Sequence, residues 1–164
     1  MTGARALLRA YVEAGKLTQV ATLGPDGSPS LCNVWYDAHF MPDVLRFISR
    51  HDRHHCQNIR RDPRVGGSII AIDLDGLGQV ARGVTYTGQA RELPRSGIAH
   101  QLGAFLARWP AAAGAIDADR LSRGETPTRL YEIAVSEWVL FDEGNFPDQP
   151  RQVIEAQTII IERS

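Results

Sequence analysis

The sequence predicts a mainly β fold, an antiparallel β-barrel with peripheral helices. Strand-like segments rich in β-branched residues dominate the chain, and helical segments stand at its edges. The regular strand–helix–strand alternation that builds a parallel sheet is missing.

Taken in order, residues 3–14 carry Leu7, Leu8, Tyr11 and Val12 at helical spacing, with Gly15 as a stop signal. The period changes in LTQVATLGPDGSPSLCNVWYDAHF, where GPDGSP reads as a turn joining two strands. Proline presets φ there and glycine permits a positive one. DVLRFIS is a third strand. A short helix follows from about Asp52 to Arg61, closed by Pro63, because the residue before a proline avoids the helical region. RVGGSIIAIDLD and QVARGVTYTGQARELP are β-branched enough to be two more strands around a GLG loop. Helical spacing returns from Arg95 to about Ile116 through Ile98, Leu102, Phe105 and Leu106, with a break at Pro110. TRLYEIAVSEWVLFD is again a strand, EGNFPDQPRQ an irregular loop, and VIEAQTIII fits strand or helix equally.

The 164 residues suit one domain spanning 1–164, with 43% apolar and 23% charged residues. A net charge of −1 argues against nucleic acid or an anionic membrane as a partner of the whole molecule. Two cysteines, Cys32 and Cys56, give no disulfide framework and suit a reducing compartment. The first residues are amphipathic rather than continuously apolar, so no secretory leader is expected. No apolar run approaches the roughly 20 residues of a membrane span. A cytoplasmic location is the expectation.

Two motifs have plainer readings than they first suggest. GLGQVA, Gly76 to Ala81, matches a dinucleotide fingerprint, but that motif must open a helix and this one opens a strand. It reads as a turn. HDRHH, His51 to His55, resembles a zinc-binding pair at i and i+4, with His39 and Cys56 as possible further ligands. The upstream RFIS reads as strand, so His51 precedes the helix and the pair is split; no metal is assigned. A solvated basic face is the plain alternative.

Helix electrostatics point elsewhere. The start of a helix carries partial positive charge and favours anions. This helix crowds Arg53, His54 and His55 into its first turn, with Arg50 and His51 just before it and only Asp52 to oppose them. Cations converging with free backbone donors suit a bound anion, most commonly a phosphate group. Nucleic acid is the weaker carrier of that phosphate, because no second basic stretch of similar density exists.

The order of segments then becomes informative. A PDG turn, a strand with NVWY, a strand ending FIS, a basic helix start, QNIRRDPRV and RGVTYTGQAREL together resemble the pyridoxamine 5′-phosphate oxidase-like family of FMN-binding split barrels. The match covers about residues 16 to 93. The resemblance implies a six-stranded antiparallel split barrel that forms a homodimer, with FMN at the subunit interface and a small-molecule redox substrate. It also implies phosphate contacts from a hydroxyl residue at a strand end, here Ser49, and from a basic pair that falls on His54 and His55. Arg53 and Arg50 would supply permanent charge in place of the family's lysine. Asn33, Val34 and Trp35 would face the flavin ring, and Arg82 would approach it. Asn145, Arg151 and Gln152 stand where polar groups could line a cleft, but the family's substrate-binding arginine and histidine motif is missing. The expected activity is that of an FMN-dependent oxidoreductase with no protein acid or base assigned. The alternative is a non-catalytic protein holding a flavin, a deazaflavin or haem.

Overall fold

The computed structural model describes residues 3–70 and 72–158. Its elements are α1 (Ala4–Ala14), β1 (Leu17–Leu23), β2 (Pro29–Trp35), β3 (Asp37–His39), β4 (Val44–Arg50), α2 (His54–Arg61), β5 (Arg64–Ile69), β6 (Arg82–Glu92), α3 (Ala99–Arg108), α4 (Ala118–Ser122), β7 (Thr128–Asp142) and β8 (Arg151–Glu155). The strands form one curled antiparallel sheet in the order β2-β1-β5-β6-β7-β4-β3, with β8 paired to β7.

The six strands read from the sequence are β1, β2, β4, β5, β6 and β7. Two short ones bring the count to eight rather than six. β3 is only three residues and pairs with β4, and β8 forms where the sequence suggested a loop running into an ambiguous tail. β3 is too short to show alternation, and β8 alternates in burial but not in the polarity of its residues RQVIE. Residues 159–161 of that tail lie outside the described part. α2 begins at His54 rather than Asp52, with Arg53 at the N-cap. The GLG segment is a turn that opens no helix, and Gly78 adopts φ 98° there.

β7 organises the sheet. Its first half pairs with β4, its second half with β8, and its other edge with β6. The β6–β7 register shifts at Thr87/Gly88, leaving Ser136 as the extra residue of a bulge that bends the strand. A Cβ at Gly88 would run into the Ala134 carbonyl, so close backbone approach requires glycine at this bend.

Alternation separates two apolar clusters. Val20, Val34, Leu45, Phe47, Val84, Tyr86 and Trp138 face inward and pack with Leu8 and Val12 of α1. Across the sheet, Leu130 and Ile48 join Leu102 and Phe105 of α3 in a second cluster. β4 therefore has an inner face bearing Leu45 and Phe47 and an outer face covered by α3. No helix among the described residues is long and apolar enough to cross a membrane.

Candidate functional site

α2 starts with free donors and without an acid. Arg53 at its N-cap makes no side-chain cap, and its first turn holds no acidic residue. The first intrahelical bond is donated by the Gln57 N–H to the Arg53 carbonyl, at 3.0 Å. The amides of His54, His55 and Cys56 have no acceptor among the described residues, as expected of the first turn of a helix. Asp52 leaves them unopposed: its carboxylate accepts from Arg50 Nε and Nη2, both at 3.2 Å, and does not cap the helix. Arg53 is exposed and makes no ion pair among the described residues.

Ser49 ends β4 beside this helix start. Its Oγ lies 2.8 Å from His55 Nε2, so the hydroxyl and the second histidine form one unit. Burial holds the half-buried His55 imidazole below its usual range, and the neighbouring Arg53 and His54 charges push it the same way. His55 is thus a neutral partner of Ser49 near pH 7, and the fixed charge at the site comes from Arg53. Ser49, Arg53, His54 and His55 are brought together as the sequence suggested; Arg50 is adjacent but paired.

The remaining expected residues lie apart. On β2, Val34 points into the core, whereas Asn33 and Trp35 face outward. Trp35 is 53% exposed and packs edge-on against Trp109, with ring centroids 5.0 Å apart. Arg82 stands at the opposite end of β6 from Glu92, which receives a hydrogen bond from Arg60 of α2. Ten residues of strand put Arg82 roughly 30 Å from the α2 region. There it lies 3.5 Å from Asp142 and lines a groove of about 280 Å³ with Ile70, Gly83, Val139 and Phe141. Asn145 donates to Asp142 at 2.7 Å, and Gln152 donates to the Gln149 carbonyl at 2.7 Å. Arg151 pairs with Phe141 in the sheet register.

The outward side of the sheet carries several exposed apolar side chains. Leu17, Leu31, Trp35, Ile70, Phe141 and Val153 are all more than a third exposed. Register aligns Trp35 with Leu17 and Phe141 with Gly83, and Ile70 lines one groove with Gly83 and Phe141, so these apolar side chains gather toward one end of the sheet. His51 precedes α2 and does not share a helical face with His55. No group of three potential metal ligands assembles among the described residues.

A family model for pyridoxamine 5′-phosphate oxidase matches residues 5–142. The chain belongs to that family. No curated protein matches it by sequence. Among solved structures, the haem-binding protein of Mycobacterium smegmatis superposes with a TM-score of 0.76 at 18% identity, over 94% of this chain and 59% of that one. An FAD-binding protein of Mesorhizobium loti gives 0.63 at 20% identity over 84% and 92%. The haem storage protein HutZ of Vibrio cholerae gives 0.61 at 18% identity over 82% and 91%. At these identities the likeness is one of fold. The chain spans under two thirds of the Mycobacterium smegmatis protein's length.

Sequence reading missed an ionic cluster on the outer face of β4. Arg46 Nε donates to Glu132 Oε2 at 2.9 Å, and Arg91 Nη2 donates to Glu132 Oε1 at 2.9 Å. The available signal was a lone arginine in the apolar strand VLRFI.

Proposed function

We propose that this chain is a flavin-binding protein that anchors the phosphate of FMN at the start of α2. The supporting observation is the convergence of three uncommitted backbone amides, the Ser49 hydroxyl and the unpaired Arg53 guanidinium. These donors fit a phosphate without lysine, because amides and guanidinium both serve phosphate oxygens. The flavin, when bound, supplies hydride-transfer chemistry, and the protein supplies binding and orientation. This chain's residues would fix the phosphate and keep His55 neutral against Ser49. A redox role toward a small-molecule substrate follows from that reading.

The functional unit on this reading is a homodimer. Arg82, roughly 30 Å from α2 within one chain, reaches the same flavin only from a second copy. The exposed apolar side chains on the sheet suit that contact.

Haem is the second reading, favoured by the shared fold of haem-binding proteins from two organisms. The absorption spectrum of the purified protein decides between them. Flavin bands with loss of free-FMN fluorescence support the proposal. A Soret band with no flavin overturns it. Turnover with a reduced nicotinamide and an electron acceptor then separates an enzyme from a carrier.

A further inference from the structure

A cleft of about 420 Å³ lies between α3 and the outer face of the sheet. Its titratable lining is Asp37, His39, Arg46, Arg91, His100 and Glu132, with Gln101 beside them. Arg46 and Ser49 occupy opposite faces of β4, so the cleft is separate from the start of α2. Its volume falls within the range of small-molecule sites.

Arg46 is the unusual member. Its side chain is 10% exposed, and Nε is committed to Glu132 at 2.9 Å. Nη1 and Nη2 form no hydrogen bond among the described residues, and the residue lines the cleft. Neither is sealed from solvent, so both open onto the cleft as free donors. Glu132 accepts from Arg46 Nε on one oxygen and from Arg91 on the other. Asp37, opposite Arg46 in the β3–β4 register, is half-buried and makes no side-chain hydrogen bond among the described residues. Burial raises its carboxyl above the usual range, with the Arg108 and Arg46 charges offsetting part of that shift. The cleft therefore holds an unfilled donor fork and, across from it, an acceptor without a partner. His39, Arg91 and His100 are exposed at its rim.

We propose that this cleft binds a small carboxylate bearing a neighbouring amino or hydroxyl group. The planar fork of Arg46 matches a carboxylate's two oxygens, and Asp37 accepts from the adjacent N–H or O–H. The site stands independently of the flavin reading, since it uses none of the residues at the start of α2.

The test is an NMR titration of the ¹⁵N-labelled full chain, following the Arg46 Nε–H and the Gln101 side-chain amide. L-malate and L-glutamate are expected to give saturable shifts, with succinate and inorganic phosphate at least about tenfold weaker. Ala104→Leu narrows the cleft from α3 without touching the Arg46–Glu132 pair and is expected to abolish the shifts. Arg46→Lys keeps the charge, loses the fork and is expected to weaken binding about tenfold or more. The proposal is overturned by an absence of saturable shifts. Equal response to succinate or phosphate, or unchanged binding in Ala104→Leu, overturns it as well. FMN added to the same sample is expected to shift Ser49 and His55 and to leave Arg46 unmoved. An FMN response at Arg46 would merge the two sites and refute a separate one.

Discussion

Two neighbouring substitutions of opposite sign test the phosphate anchor. Arg53 is exposed, uncapped and unpaired at the start of α2. Arg53→Ala removes one charge-assisted contact to the phosphate. Hydrogen bonds to charged groups contribute about 1.5–3 kcal/mol, and every 1.4 kcal/mol is tenfold, so FMN binding should weaken about tenfold to a hundredfold. Asp52→Asn acts the other way. Asp52 neutralises Arg50 through two 3.2 Å contacts, and removing its charge leaves the helix start more cationic. Through solvent, one exposed charge near the phosphate is worth only about twofold in affinity. FMN fluorescence quenching at pH 8 is the assay, where the phosphate is dianionic, its second pKa being about 6. Burial and its neighbours hold His55 below its ordinary value, so it is neutral there. A folding defect would weaken binding in both variants, whereas an anion anchor moves them in opposite directions. Unchanged affinity in Arg53→Ala, or weaker binding in Asp52→Asn, would refute the anchor.

Glu132→Ala should destabilise the fold by about 3–5 kcal/mol, because it strands the buried Arg46 charge; chemical denaturation checks this. Trp35→Asp combined with Leu31→Asp should convert a dimer to a monomer by light scattering, with each chain still folded, because both side chains are exposed in the monomer. His55 makes stability pH-dependent. As pH falls below its ordinary value of 6.5, the unfolded chain takes up a proton that the folded chain resists, so stability is full above that pH and declines beneath it. His55→Gln should flatten the decline below about pH 6.5 in a thermal-melt series; an unaltered slope would show that another group carries it.

Local pattern made much of the fold legible. β7 matches the segment TRLYEIAVSEWVLFD end to end, because its β-branched run is long and bounded by turns. The start of α2 was misread by two residues, since Asp52 looks like a cap but is held by Arg50. In the anion site, the clustering of Ser49, Arg53, His54 and His55 follows from chain proximity, so sequence could find it. The pairing of Ser49 with His55 could not be foreseen, because it depends on the angle at which α2 leaves β4. Arg82 shows the same limit at long range: adjacency in a family pattern does not bring it near α2 inside one chain. The Arg46–Glu132–Arg91 cluster joins three strands, and no local window contains it.

These two cationic features differ in how their charge is held, and that difference bears on selectivity. At the start of α2 the donors are backbone amides and an exposed arginine, a combination that takes any anion able to reach it. On the proposed reading, selection among cofactors must then come from surfaces other than this anchor, including whatever a second copy contributes. In the α3 cleft the geometry is fixed instead by burial. The Arg46 fork is oriented by Glu132, and Glu132 is held ionised by hydrogen bonds from Arg91 and Arg46 that outweigh the cost of its own burial. A rigid, oriented fork favours a ligand that pairs both of its free nitrogens, so it discriminates by shape as well as by charge. The open helix start is thus suited to anchoring a cofactor whose identity is read elsewhere, and the enclosed cleft to reading a small acid directly.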